Sequence, residues 1–139
     1  MQKYKVAAYL RLSKEEFSNE KESNSITNQK LIIDNYLEKN KEYKLVDYYI
    51  DDGYSGTNFN RPEFQRMLED IKNKKIDVII IKDLSRLGRN YIETGNFIEV
   101  IFPGMGVSVI SVDENCEIDS SDYYGDDYLP LKNLFNDMY

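Results

Sequence analysis

The sequence contains no histidine. That removes the Ser-His and Cys-His pairs of ordinary hydrolases and the usual zinc ligand sets. Any nucleophile must then be activated by charge or by a carboxylate. A single cysteine, Cys116, leaves no internal disulfide and agrees with a reducing compartment; it reads as an unpaired thiol in a polar loop. No apolar run is long enough to cross a bilayer, and nothing at the N-terminus resembles a signal peptide. These absences point to a soluble, cytoplasmic protein with no membrane partner. Neither a Walker loop nor a Gly-x-Gly-x-x-Gly stretch is present, which speaks against nucleotide binding. Internal repeats and low-complexity tracts are also missing.

Positive charge is scarce: Lys and Arg total 18 against 25 Asp and Glu, for a formal net charge of -7. So acidic a chain does not hold DNA by bulk electrostatics, which leaves a local basic pocket open. Arginine is scarcer still, with Arg11, Arg61, Arg66, Arg86 and Arg89 the whole set. What is present is globular in kind. The 139 residues, 41% hydrophobic and 31% charged, suffice for one domain around one sizeable core.

Apolar periodicity divides the chain into alternating strands and helices. Residues 6–10 read as a buried strand, and residues 14–24 as a polar, mobile loop without periodicity. Ser25 is placed to cap a helix over 26–38, with Ile26, Gln29, Ile33, Tyr36 and Leu37 on one face. A Tyr-, Val- and Ile-rich strand spans 43–50, followed by a loop with Gly53 and Gly56. The next helix starts near Pro62, with Asn60 and Glu63 spaced like a capping box and Phe64, Met67, Leu68 and Ile71 as its apolar stripe. Arg66 falls off that stripe and is expected in solvent. Val78 to Ile81 has the continuous β-branched character of a strand covered on both faces. A third helix is predicted over 91–102, with Thr94, Phe97, Ile98 and Ile101 inward and Pro103 and Gly104 as its stop. A fourth strand covers 107–112, an acidic loop 113–127, and the start of a further helix 128–139. The alternation predicts an α/β fold: three αβα layers around a mostly parallel central sheet of about four to five strands.

In such sheets chemistry collects outside the carboxyl ends of the strands. The first strand runs out into Tyr9-Leu10-Arg11-Leu12-Ser13, where Arg11 and Ser13 share a side if the chain stays extended. A guanidinium beside a serine hydroxyl favours the alkoxide and binds phosphate oxygens. Taken alone, this pentapeptide reads more simply as a strand end with a solvated arginine and a helix-capping serine. Gln29 alone likewise reads as an amphipathic surface residue. The arginines, however, sort. Arg11, Arg61, Arg86 and Arg89 all fall at strand carboxyl ends, whereas the lysines are scattered. Forked guanidinium bonds suit a phosphate, and phosphoryl transfer asks chiefly for positioning and charge neutralisation. No carboxylate cluster can be placed near Ser13, although Asp51, Asp52 and Asp83 are unassigned, so a metal-dependent nuclease is the weaker reading.

Taken in order, Tyr9 to Ser13, Ser25 to Gln29, Asp52-Gly53-Tyr54-Ser55-Gly56, Arg61-Pro62-Glu63-Phe64 and Ser85-Arg86-Leu87-Gly88-Arg89 resemble the serine recombinases over nearly the whole chain. This family comprises resolvases, invertases, and large serine integrases and transposases. The resemblance implies that Ser13 is the nucleophile that attacks a DNA phosphodiester, leaving a 5′-phosphoserine and a free 3′-hydroxyl. It implies that Arg11, Arg61, Arg86 and Arg89 surround the scissile phosphate, and that Gln29 is an active-site glutamine. No metal, nucleotide or other small-molecule cofactor is implied. Residues 1–127 would form the catalytic domain. Residues 128–139 would begin a helix leading to oligomerising and DNA-binding regions. The partners would be DNA recombination sites and, in the full-length protein, further copies of itself as a dimer and a synaptic tetramer.

Two features depart from the small resolvases. Ser85 stands where they carry an aspartate, and a charged insertion follows Ser13; both resemble the large, transposase-like subgroup. The general acid stays unassigned. The alternative is a non-catalytic DNA-tethering or assembly domain that keeps the fold. A flavodoxin-like or receiver-type signalling domain is not supported by the loop chemistry.

Overall fold

The computed structural model describes residues 3–13, 25–57 and 59–118. The predicted loop at 14–24 and the predicted helix at 128–139 lie outside these residues. A five-stranded sheet in the order β2-β1-β3-β4-β5 forms the middle layer. Its strands are β1 (Tyr4–Leu12), β2 (Tyr43–Asp52), β3 (Val78–Ile81), β4 (Ser108–Ser111) and β5 (Cys116–Ile118). The first four run parallel, and β5 turns back antiparallel on β4. Residues 116–118 fall within the stretch 113–127 whose composition predicts an acidic loop. Three residues flanked by polar ones carry too little periodicity to announce a strand, and pairing with β4 defines it instead.

Helix α1 (Ile26–Lys39) covers one face of the sheet and α2 (Pro62–Lys72) the other. A third helical segment, α3, joins α2 on its face. It is α-helical over Tyr91–Asn96, π-helical over Phe97–Ile101 and α-helical again over Phe102–Gly104. The sequence predicts one regular helix here; the wider π turn shifts the side chains beyond it. Strand alternation separates two cores. Ala7, Tyr9, Tyr49, Ile79, Ile81 and Val109 pack with Phe64, Met67, Ile98 and Phe102 of α2 and α3. Val6, Ala8, Leu10, Val78, Ile80 and Ile110 pack with Ile33 of α1. The three-layer αβα arrangement expected from the alternation is therefore present. Among the described residues no helix is long and apolar enough to cross a membrane.

A register shift between β1 and β2 sets which side chains of β2 reach the α2 face. Val6 pairs with Leu45 but Ala7 pairs with Asp47, so one residue of β2, Val46, is passed over. One extra residue inverts which face every later side chain takes. After the shift Tyr49 lies beside Tyr9 and Asp51 beside Arg11, so Asp51 shares the α2 face with them.

Helix starts obey two different rules. Ser25 caps α1 as expected, its hydroxyl accepting from the Asn28 N–H at 3.0 Å. The Asn60/Glu63 capping box does not form. The N-cap of α2 is Arg61, with no side-chain cap of its own. Instead the Asp51 carboxylate, arriving from β2, accepts from the N–H groups of Glu63 at 3.0 Å and Phe64 at 2.9 Å. A carboxylate already facing the helix N-terminus meets the exposed donors and the positive dipole end together. Arg66 also differs from expectation. It is half-buried, forks onto Glu63 at 2.8 and 2.9 Å, and stacks on Tyr49 with its guanidinium carbon 4.0 Å from the ring centroid.

Candidate active site

The carboxyl ends of β1, β2 and β3 bring three loops to one edge, and the arginines meet there. Arg11, near the end of β1, is fully buried. Its Nε donates to the Arg86 carbonyl at 3.0 Å, Nη1 to the Tyr54 carbonyl at 3.1 Å and Nη2 to the Ser85 carbonyl at 2.5 Å. Arg61, just before α2, is equally enclosed at 1% exposure. Its Nη1 donates to the Tyr9 hydroxyl at 2.9 Å and to the Arg86 carbonyl at 3.2 Å, and its Nη2 bonds the Leu87 carbonyl. Phe59 and Phe64, neighbouring rings with centroids 5.1 Å apart, lie against it at 4.8 and 4.9 Å from the guanidinium carbon. Burial pushes Arg61 below its ordinary value, while Tyr9 and Asp51 act in the opposite sense.

Arg86 lies in a 3-10 turn, Leu84–Arg86, just after β3. Its Nη1 donates to the Arg11 carbonyl at 2.7 Å. The two residues are thus clasped both ways, since the Arg11 side chain bonds the Arg86 backbone. Gln29 completes the clasp from α1: its Nε2 donates to the Arg11 carbonyl at 2.9 Å, and its Oε1 accepts from the Arg11 N–H at 3.3 Å. Gln29 is fully buried, not on a solvated face.

Ser13 comes directly after β1, half-buried, two residues beyond Arg11. Arg89 is exposed, and its N–H donates to the Gly56 carbonyl at 2.7 Å. Gly56 packs tightly between the loops. A Cβ there would lie 2.7 Å from Arg11 Nη2 and 3.1 Å from Arg89 Cγ. The structure therefore gathers Arg11, Gln29, Arg61 and Arg86 into one bonded group, with Arg89 beside it and Ser13 at the same sheet edge.

Two carboxylates left unassigned by the sequence have clear partners here. Asp51 accepts from the Tyr9 hydroxyl at 2.8 Å besides capping α2. Asp83 accepts from the Ser85 hydroxyl, and from Arg86 Nε at 3.3 Å. Tyr9 joins this group without being among the residues expected at the site, although strand alternation puts it on the side of Arg11.

A family model for the resolvase N-terminal domain matches residues 6–139. The chain belongs to the resolvase family. Solved structures agree with that membership. This resolvase domain is 29% identical to the N-terminal catalytic domain of TP901-1 integrase, covering 96% of this chain and 95% of that one, with a TM-score of 0.74. It is 31% identical to a resolvase family site-specific recombinase from Streptococcus pneumoniae, covering 98% and 86%, with a TM-score of 0.72. It is 30% identical to the C-terminal catalytic domain of ISC1926 TnpA, an IS607-like serine recombinase, covering 78% and 69%, with a TM-score of 0.63. No curated protein shows significant sequence similarity to the resolvase domain. Two of these three are described as catalytic domains, one of an integrase and one of an IS607-like serine recombinase.

Proposed function

We propose that this is the catalytic domain of a site-specific DNA recombinase of transposase or integrase type, acting in the cytoplasm on DNA recombination sites. In this reading the Ser13 hydroxyl attacks a phosphodiester phosphorus. The new bond is Oγ–P, and the bond that breaks is P–O3′. The serine proton is given up, and the departing 3′-oxygen takes a proton to become a free hydroxyl. Rejoining reverses the step, so no phosphoester bond is lost overall. Arg11, Arg61, Arg86 and Arg89 would neutralise the phosphate oxygens, and Gln29 would hold the Arg11 backbone in register. The observation that carries this reading is the convergence of Arg11, Arg61 and Arg86 on one turn at the edge where Ser13 leaves β1.

Residues 1–127 are the catalytic unit in this proposal, and 128–139 begin a helix toward oligomerising and DNA-binding regions. The full-length protein would work as a dimer and a synaptic tetramer. The isolated chain, at a formal charge of -7, would bind DNA weakly and not recombine it.

One observation favours a second reading. Arg11 and Arg61 are buried and donate to backbone carbonyls, which also suits a domain that only tethers or assembles. Full-length protein on its cognate site separates the two. A covalent protein–DNA product should accumulate with the wild type and fall to background in Ser13→Ala. An adduct that persists in Ser13→Ala means the wrong nucleophile. A wild type that binds the site without cleaving it supports the assembly role.

A further inference from the structure

The positions of the Arg11 and Arg61 guanidiniums depend on the turn at Leu84–Arg86, because its carbonyls receive them. Asp83 organises that turn. Its side chain is 16% exposed and lies between β3 and the turn. Oδ1 accepts from the Ser85 N–H at 3.0 Å, from the Ser85 hydroxyl, and from Arg86 Nε at 3.3 Å. The first of these caps the turn. The Ser85 hydroxyl in turn accepts from Arg86 Nη2 at 3.0 Å. Asp83 therefore steers two nitrogens of Arg86, one directly and one through Ser85, while Nη1 reaches the Arg11 carbonyl.

The group is also braced from behind. Lys82 Nζ lies 3.4 Å from Asp83 and 2.7 Å from Asp113. Glu114 Oε1 accepts from the Leu84 N–H at 2.8 Å and from the Ser111 hydroxyl at 2.6 Å. The turn is thereby hung on the β4–β5 connection. Burial works against the Asp83 charge, but Arg86, Ser85 and Lys82 outweigh it and keep the carboxyl below its usual value.

We infer that Asp83 is a positioning residue for DNA cleavage: acting through the Ser85 hydroxyl and the turn it caps, it sets the plane of the Arg86 guanidinium and the carbonyls that hold Arg11 and Arg61. This rests on the Ser13-dependent reaction proposed above. Asp83 itself touches no reacting atom. A shift of about 1 Å in a site that works by position can cost on the order of 10²-fold in rate.

The test is single-turnover cleavage of the cognate site by the full-length recombinase, comparing wild type with Asp83→Asn, Ser85→Ala, the double variant and Ser13→Ala. Asp83→Asn should cleave about 10- to 100-fold more slowly, with the DNA concentration for half-maximal rate unchanged. The double variant should lose less than the product of the two single losses, because the direct bond and the Ser85 relay act on the same guanidinium. A merely structural contribution would instead multiply the two losses and weaken DNA binding. Multiplying losses, or wild-type cleavage by Asp83→Asn, overturns the inference. If circular dichroism shows Asp83→Asn unfolded, Ser85→Ala decides: slower cleavage supports the path and a wild-type rate refutes it. The Ser13→Ala and wild-type arms report separately on the reaction itself, so failure of the nucleophile is not mistaken for failure of Asp83.

Discussion

Tyr9 and Arg61 are joined by a buried hydrogen bond in which Nη1 donates to the phenolic oxygen at 2.9 Å. The same hydroxyl donates onward to Asp51 Oδ2 at 2.8 Å. One side chain from β1 therefore links the residue that starts α2 to the carboxylate that caps it. The link exists only because the β2 register shift turns Asp51 toward Tyr9.

Tyr9→Phe should leave the ring packing and remove that link. The buried Asp51 oxygen and Arg61 Nη1 each lose a partner, and stability should fall by about 1–3 kcal/mol. Urea denaturation measures it, and a variant as stable as wild type would show that the bond contributes nothing net. The pH dependence has a definite sign. Burial pushes the Tyr9 phenol up; Arg61 opposes this and Asp51 adds to it. A group raised in the folded state contributes stability that is fully present below its unfolded value of about 10 and is lost as pH rises beyond it. Wild type should therefore lose more stability above pH ~10 than Tyr9→Phe does.

Asp51→Ala should cost more. It removes the acceptor for two N–H groups at the start of α2 and for Tyr9. A lost cap and a stranded buried hydroxyl together are worth about 2–4 kcal/mol. Hydrogen exchange should speed up first at the start of α2. Exchange that rises uniformly along the chain would contradict the local role.

Gly56→Ala tests the contact between loops. The added methyl would sit 2.9 Å from Arg11 Cζ and 3.1 Å from Arg89 Cγ. Arg11 is enclosed and has little room to move away, so destabilisation of about 1–3 kcal/mol is expected. In the full-length enzyme, cleavage should drop further than DNA binding. Unchanged cleavage would mean that Arg11 need not keep this position.

Glu114 and Asp83 should respond to acid in opposite ways. Burial pushes Glu114 up, and Asp83 and Asp113 add to this against the Ser111 hydroxyl and Leu84 N–H bonds. Its stabilising contribution is complete below the ordinary carboxylate value and is lost as pH rises through the raised one. Glu114→Gln keeps an acceptor oxygen without the buried charge. It should therefore be at least as stable as wild type at neutral pH, with the difference shrinking or reversing as pH falls. Asp83, held low, contributes stability above the ordinary carboxylate value and loses it as pH falls through its depressed one. Thermal melts from pH 3 to 8 would show a wrong sign for either residue.

Residue order alone was enough to set the alternation of strands and helices, the Ser25 cap, and the sheet edge where Ser13 and four arginines emerge. Each comes from local rules: apolar period, capping chemistry and the direction of parallel strands. Motif order along the chain sufficed to identify the family. Long-range packing settled the rest. Asp51 rather than Asn60 and Glu63 caps α2, because a carboxylate from a neighbouring strand reaches the helix N-terminus in place of the local side chain. Arg66 finds Glu63, Asp47 and Tyr49 rather than solvent. Tyr9 and Asp83 gain their roles only from partners that folding supplies. The guanidiniums reach the carbonyls of residues 85–87 from up to 75 positions away, and periodicity carries no information about pairings at that range. Position along the chain can show that arginines gather at an edge, but only packing decides which oxygen each one meets.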